Sequence, residues 1–490
     1  MQSKDEAPKP HFVLVPFMAQ GHTIPMIDMA HLLAKHGTMV SFITTPANAA
    51  RIESTIDRAR ELNLPIHFVP LKLDCAKVGL PEGCENVDKV LRKDQLKSLT
   101  DAYSMLHKPL VSYLQAQRNP PSSIISDLCQ PWTGDVAREL GIPRFMFNGF
   151  CAFSSLCRYI IHQEKVFENV AHGNDLIVLP GFPHRLEISK VKSPGNFNSP
   201  GFEQFSEKIL EEERRADGVV TNSFYELEPL YHEVYQKKIG KKVWSLGPMF
   251  LCNTEISAIS VRGDKASVDQ KHCLQWLESM KPGSVLYVSF GSMARTVVSQ
   301  LKEIALGLEA SRRPFLWVIK SDDKASEVEK LLTEGFEERI KDRGLIIRGW
   351  AQQAMILSHP SVGGFMTHCG WNSTIEGISN GVPMITWPHC AEQFLNEKLI
   401  VDILKVGVPV GVQNITSRTM EAHEVSIVKM DHIEKAVLKL MGKDTDAKER
   451  SMRARELKQK ARQAIDGGSS YSNIQNLIEY VTIRNKTTVQ

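Results

Sequence analysis

The chain has 490 residues, 42% of them hydrophobic and 23% charged, and Lys+Arg 59 against Asp+Glu 56 leaves a net charge of +3. That length exceeds one ordinary core and predicts two domains, while so balanced a charge excludes a global field that would recruit nucleic acid or an anionic membrane. The nine cysteines are odd in number and scattered, with no Cys-x-x-Cys pair, which predicts reduced thiols in a cytoplasmic protein and neither a disulfide framework nor a zinc site.

The N-terminus, MQSKDEAPKP, is polar and leads into a short apolar run, HFVLVPF (11–17), that AQGH interrupts. A secretory signal needs a longer apolar core, and no run approaches the ~18 residues of a membrane span. HFVLVPF suits a strand covered on both faces. The segment TIPMIDMAHLLAKHG follows with Ile27, Ala30, Leu33 and Ala34 at helical spacing and Gly37 as the stop, and TMVSFIT is a second strand. The same strand–helix–strand rhythm recurs at SSIISD (122–127), PWTGDVARELG and PRFMFN. A second series begins near residue 280, with SVLYVSFGS (284–292), a helix through SQLKEIALGLEAS, and strands at PFLWVIK, GLIIRG, VGGFMTH and VPMITW. This alternation predicts an α/β protein with two mostly parallel sheets and a ligand cleft between the domains. The expected boundaries are 1–250 for the first domain, 251–270 for a polar linker and 271–465 for the second. A C-terminal helix at 466–490 would return to the first domain.

Common phosphate-binding signatures are missing. No two of the 31 glycines are spaced Gly-x-Gly, and neither Gly-Lys pair, at 240–241 or 442–443, precedes Ser or Thr. Dinucleotide enzymes and P-loop NTPases therefore lose support. The stretch GGFMTHCGWNSTIEGISNGVPMITWP (363–388) offers another kind of site. If VGGFMTH is a strand and NSTIEGISN a helix, Asn372 and Ser373 stand at a helix start, where backbone N–H groups and the macrodipole favour an anion. His368 adds a donor or a positive charge, Glu376 in about the first turn could accept from a ribose diol, and Trp371 would be an apolar plate at the mouth. Asn and Ser are also ordinary helix caps, so this segment alone does not decide the matter. Upstream, Trp350 at the end of LIIRG offers a face for a planar base whose edge could meet the Ala351 backbone. Downstream, Glu392 and Gln393 suit the hydroxyls of a sugar.

The stretch Trp350–Gln393 resembles the signature box of the plant family 1 UDP-glycosyltransferases. The match rests on Trp350, Gln353, His368, Gly370, Trp371, Asn372, Ser373, Glu376, Pro383, Glu392 and Gln393. VPFMAQGHTIPM, TNSFYELEP, SLGP and VLYVSFGS extend the likeness over nearly the whole chain. One departure is WAQQ in place of the usual WAPQ, with Gln352 relaxing a turn. The resemblance implies a GT-B fold, two Rossmann-like domains facing across a cleft. It implies His22 as general base with Asp127 as its partner, in an inverting transfer that yields a β-glucoside. It also implies a UDP-sugar held by the box and by Ser292 of SFGS. UDP-glucose is the expected donor, given Gln393 at the last position and Trp371; UDP-galactose, UDP-xylose and UDP-glucuronate are the alternatives. No metal cofactor is expected, because the sole Asp-x-Asp match, Asp444-Thr445-Asp446, lies in a Lys-rich run far from the box.

The acceptor is expected to be a small hydrophobic plant metabolite of the flavonoid, triterpenoid, steroid or hormone type. Its pocket is assigned to Met18, Ala19, Phe147, Asn148, Phe150, Phe182 and Phe197, although each phenylalanine also suits plain core. A monomer without a nucleic-acid partner or integral membrane segment is expected. Three rival readings are a UDP-sugar-binding protein without catalysis, a nicotinamide-dependent oxidoreductase, and a GT-B enzyme acting on a lipid-linked glycan. His22 and Asp127 argue against the first, and the missing Gly-x-Gly against the second. The third would show a membrane-docking face, which composition does not reveal.

Overall fold

The structure is a computed structural model that describes residues 9–90, 92–193, 201–252, 262–263, 270–292, 296–320, 329–330, 332, 335–416 and 426–488. In chain order the first strands are β1 (His11–Val15), β2 (Met39–Thr44), β3 (Ile66–Pro70), β4 (Ser123–Asp127) and β5 (Arg144–Asn148). A short hairpin, β6 (Ile177–Val178) and β7 (Glu187–Ile188), precedes β8 (Gly218–Thr221) and β9 (Val243–Ser245). The later strands are β10 (Val285–Ser289), β11 (Phe315–Ile319), β12 (Gly344–Arg348), β13 (Val362–Thr367), β14 (Met384–Thr386) and β15 (Gly407–Pro409). The helices that matter below are α1 (Gln20–Lys35), α2 (Thr133–Leu140), α3 (Ala152–Gln163), α4 (Val298–Ser311), α5 (Gln353–Ser358), α6 (Trp371–Asn380), α7 (Gln393–Lys398) and α8 (Ser469–Thr488).

One sheet has the order β3-β2-β1-β4-β5-β8-β9 and the other β12-β11-β10-β13-β14-β15. Every pairing in both sheets is parallel. Strands β1, β4, β5 and β10 are buried at every position, as strands with helices on both faces must be. Their apolar runs therefore lack the alternation of a half-exposed strand. In the first sheet the strand order reverses between β1 and β4, where Val15 lies opposite Ser126. In the second it reverses between β10 and β13, where Ser289 lies opposite Thr367. Helices leave in opposite directions at such a switch point and open a crevice beyond the strand ends.

The chain divides into two compact units. The first comprises Met1–Cys151, Phe197–Ala258 and Gln463–Gln490; the second comprises Ala152–Asn196 and Ile259–Arg462. The segment Ala152–Asn196, placed in the first domain by the sequence reading, thus groups with the second unit. The linker assigned to 251–270 lies mostly outside the described residues. In the first unit, Ile474, Leu477 and Val481 of α8 are buried in a core that includes Phe12, Leu14, Ile125, Phe145 and Trp244. Asn473 Nδ2 and Ser470 Oγ donate to the carbonyls of Ser245 and Gly247, at 3.1 and 2.5 Å, and pin the start of α8. The second unit has a separate core of Leu286, Val288, Leu308, Trp317, Met366, Ile385 and Val437, among others. No helix among the described residues is long and apolar enough to cross a membrane.

Candidate active site

In the first unit, the chain leaves β1 and turns at Phe17–Ala19 into α1, whose N-cap is Ala19. The helix starts at Gln20, earlier than the apolar spacing predicts, so His22 belongs to its first turn and donates its backbone N–H to Ala19 O. At the neighbouring strand end, Asp127 closes β4. His22 Nδ1 lies 2.7 Å from Asp127 Oδ2, with the Asp127 side chain wholly buried and that of His22 25% exposed. Phe17 packs edge-on against the imidazole, 5.3 Å between centroids, and Tyr103 packs in turn against Phe17. The other carboxylate oxygen, Oδ1, accepts the Cys129 N–H at 2.9 Å. Asp127 therefore does not cap α2; it has one oxygen for the imidazole and one for its own loop. That loop is tied to β1 by Gln130 Nε2, which donates to Pro16 O at 3.0 Å, while Trp132 Nε1 donates to Gln130 Oε1 at 2.7 Å. With the Nδ1 proton held by Asp127, Nε2 is the basic nitrogen, the tautomer needed to remove a proton from a hydroxyl.

The predicted acceptor residues do not all fall in one unit. Phe147 is a correction: its ring is fully buried among Leu14, Ile125 and Val220, because β5 is an interior strand with both faces covered. Asn148 is also fully buried and accepts the Phe150 N–H at 3.2 Å, holding the turn after β5. Met18 and Ala19 are buried in the β1–α1 turn, and Met18 O accepts the Val87 N–H. Phe150 is half-buried. Phe182 belongs to the second unit and packs edge-on against Phe153. Phe197 lies outside the described residues.

In the second unit, the box residues converge at the ends of β12, β10, β13 and β14. Gly291 follows β10 with φ +74°, and a Cβ there would lie 2.5 Å from His368 Cε1 and 2.7 Å from Nε2. Gly370, on the other connection, approaches the same imidazole too closely for any side chain. The ring is thus set between two glycine backbones, and its Nδ1 is buried without a hydrogen-bond partner. Burial, then His389, push its pKa down to about 3. Of the two expectations for His368, a donor or a positive charge, the lowered pKa favours the neutral donor in the free protein.

Helix α6 begins at Trp371, with Gly370 as N-cap, so no cap side chain covers its first turn. Asn372 and Ser373 are its second and third residues. Trp371 is only 2% exposed, so it is an interior ring rather than a plate at the mouth. Glu376 sits in the second turn, buried, and pairs with Arg262 through Oε1 and with Gln353 Nε2 through Oε2, the latter at 2.9 Å. Gln353, the first residue of α5, also donates to Ser373 Oγ at 2.9 Å, so one amide aligns both side chains. Trp350 is half-buried after β12, with Gly349 at φ +110° and Ala351 and the N-cap Gln352 leading into α5. Ser292 is half-buried, and its carbonyl accepts from Lys320 Nζ at 2.7 Å. Beyond β14, Glu392 and Gln393 open α7. Gln393 Oε1 accepts the His389 and Cys390 N–H groups at 2.8 and 3.1 Å, shaping the turn before it.

Two residues in these turns, Cys369 (φ +64°) and Ala391 (φ +55°), hold left-handed backbone without being glycine. Each such residue costs about 1–3 kcal/mol and persists only where its surroundings over-determine it. The sequence reading did not single out Arg262, His389 or Asn396. Asn396 lies four and three residues beyond Glu392 and Gln393, a helical spacing that could have drawn attention to it. Nothing local in the sequence marks Arg262 as a partner of Glu376.

Comparison with known proteins agrees with this fold. Residues 11–251 match the family described as glycosyltransferase, N-terminal domain, and residues 241–448 match UDP-glucoronosyl and UDP-glucosyl transferase. UDP-glycosyltransferase 73C11 of Barbarea vulgaris is 45% identical over 473 residues, covering 96% of both chains. UDP-glycosyltransferase 73C3 of Arabidopsis thaliana is 45% identical over 476 residues, again 96% of each. The crystal structure of Glycyrrhiza uralensis UGT73P12 complexed with glycyrrhetinic acid 3-O-monoglucuronide superposes with a TM-score of 0.89 at 36% identity, covering 98% of this chain and 97% of that one. With parallel α/β sheets, a strand-end histidine–aspartate pair and likeness along nearly its whole length, the chain belongs to the plant family 1 UDP-glycosyltransferases, enzymes of the GT-B fold.

Proposed function

We propose that the protein transfers glucose from UDP-glucose to a hydroxyl of a small hydrophobic plant metabolite, with inversion at the anomeric carbon. The observation that carries this reading is the His22–Asp127 pair, a buried carboxylate 2.7 Å from the Nδ1 of a partly exposed imidazole. His22 Nε2 takes the hydroxyl proton as the acceptor oxygen bonds to the anomeric carbon. The bond from that carbon to the β-phosphate oxygen breaks, and UDP leaves with the electron pair. Asp127 stabilises the imidazolium so formed. Attack opposite the leaving group turns the α-linked donor into a β-glucoside.

In this reading the uracil stacks on Trp350 and meets the Ala351 backbone. The ribose diol replaces Arg262 as the partner of Glu376, which Gln353 holds in place. His368, Asn372, Ser373, Ser292 and the start of α6 take the diphosphate, while the Glu392 and Gln393 side chains take the glucose, with Trp371, its ring interior, contributing through its backbone. Charge on the departing UDP is met by the helix terminus and these donors, so no metal cofactor is needed. The acceptor is taken to be of the triterpenoid, steroid, flavonoid or hormone kind, and the Glycyrrhiza complex with glycyrrhetinic acid 3-O-monoglucuronide lends support to the triterpenoid member of that group. A cytoplasmic monomer completes the proposal, and nine free cysteines suit a reducing compartment.

The test is UDP release and glycoside formation in EDTA, offering UDP-glucose, UDP-galactose, UDP-xylose and UDP-glucuronate against pooled flavonoids, triterpenoids, steroids and small phenols. UDP-glucose should give the fastest turnover, and His22→Ala should lower it by about 10²–10⁴-fold with UDP affinity retained. Full activity in His22→Ala would sink the base assignment. Preference for another sugar would overturn the donor, and dependence on added metal the metal-free step.

A further inference from the structure

Two strand-end turns carry the donor side of the site, β13–α6 with His368 and β14–α7 with Glu392 and Gln393. Each contains a non-glycine residue held in left-handed backbone, Cys369 in one and Ala391 in the other. Both backbone polar groups of Cys369 are bound by side chains. Its N–H donates to Thr367 Oγ1 at 3.2 Å, and its carbonyl accepts from Asn396 Nδ2 at 2.8 Å. The Asn396 side chain is completely buried on α7. The same Nδ2 also reaches Glu392 Oε1 at 3.4 Å, and Asn396 Oδ1 accepts from Ser154 Oγ of α3 at 2.9 Å.

One primary amide thus touches both turns. The arrangement needs two N–H donors and an acceptor on a short, uncharged side chain, which asparagine alone supplies at this length. Aspartate would keep the shape and the Ser154 bond, but it would set an acceptor against Cys369 O and a negative charge against Glu392. Alanine would leave the Cys369 carbonyl buried without its donor.

We propose that Asn396 is a positioning residue that locks the diphosphate-binding turn to the sugar-binding turn, so that donor phosphate and donor sugar are held in one register. This rests on the donor site proposed above. Asn396 touches no substrate atom; it acts through the Cys369 carbonyl and the Glu392 carboxylate.

Calorimetric titration with UDP reads the phosphate turn alone, and initial rates with UDP-glucose and a competent acceptor read both turns. Asn396→Asp and Asn396→Ala should each weaken UDP binding by about tenfold and lower kcat by more, with near-UV dichroism unchanged. Ser154→Ala, which leaves Asn396 in place, should shift both quantities in the same direction by a few-fold. His22→Ala should lose turnover and keep UDP affinity, so the base assignment is read separately. Folded Asn396 variants with UDP affinity and kcat within twofold of wild type would overturn the proposal, as a merely structural role would lower only the melting temperature. If those variants do not fold, unchanged values in Ser154→Ala overturn it. A wild-type protein that binds no UDP would instead defeat the donor-site reading itself.

Discussion

Replacing Gly291 with alanine tests whether His368 must stand where it does. The added Cβ would lie 2.5 Å from Cε1 and 2.7 Å from Nε2 of the imidazole. Ordinary carbon contacts lie at about 3.5–4.0 Å, so the ring must retreat by about 1 Å. Gly370 crowds the same ring and limits where it can go. Alanine at φ +74° also carries the left-handed penalty of about 1–2 kcal/mol, which would lower stability whatever His368 does. Gly283→Ala separates the two effects, because Gly283 has φ +67° with nothing within 4 Å of the new Cβ. Both variants should lose about 1–2 kcal/mol in denaturant melts. Only Gly291→Ala should weaken UDP in calorimetric titration, by about tenfold or more, and lower turnover by about 10²-fold, the scale of a 1 Å misplacement. A folded Gly291→Ala protein that binds UDP within twofold of wild type would refute the assignment of His368 to the diphosphate.

Asp127→Asn should reverse the histidine tautomer. The Cys129 N–H keeps the amide oxygen on its side, so the amide nitrogen faces His22 Nδ1 and leaves the proton on Nε2. Turnover should fall by about 10³–10⁴-fold with UDP affinity unchanged, and a loss below tenfold in steady-state rates would contradict the pairing. Glu397 of α7 is half-buried and accepts from Thr386 Oγ1, and desolvation raises its pKa from 4.5 to about 7. Between those values the unfolded chain releases the proton and the folded one keeps it, so stability declines as pH rises from 4.5 to about 7 and then levels off. The swing is about 3 kcal/mol at most, and Glu397→Gln should abolish it and melt higher than wild type at pH 8. Equal pH dependence in the two proteins would exclude Glu397 as its source.

Much of the proposed donor half can be read along the chain because its residues follow one another in sequence. Trp350, His368, Asn372, Glu392 and Gln393 each stand just past a short apolar run, and parallel strands alternating with helices bring all such positions to one sheet edge. What misled were statements about environment. Phe147 reads as a candidate pocket wall and is core, since an apolar strand residue carries no mark of which helix covers it. Trp371 reads as exposed and is interior. His368 reads as a donor or a cation, and burial favours the neutral donor, because desolvation depends on packing from separate connections, those of Gly291, Gly370 and His389.

The amino-acid sequence by itself determined the α/β alternation, the absence of the common phosphate loops and the family, since each of these is written in local period and contiguous motif. Tertiary structure alone decided that His22 and Asp127, 105 residues apart, lie 2.7 Å from one another. It also decided that Asn396 joins two turns and that Ala152–Asn196 groups with the later part of the chain. The physical reason is the same in each case. Periodicity records which face of an element is buried, whereas strand order and the switch point determine what that face is buried against.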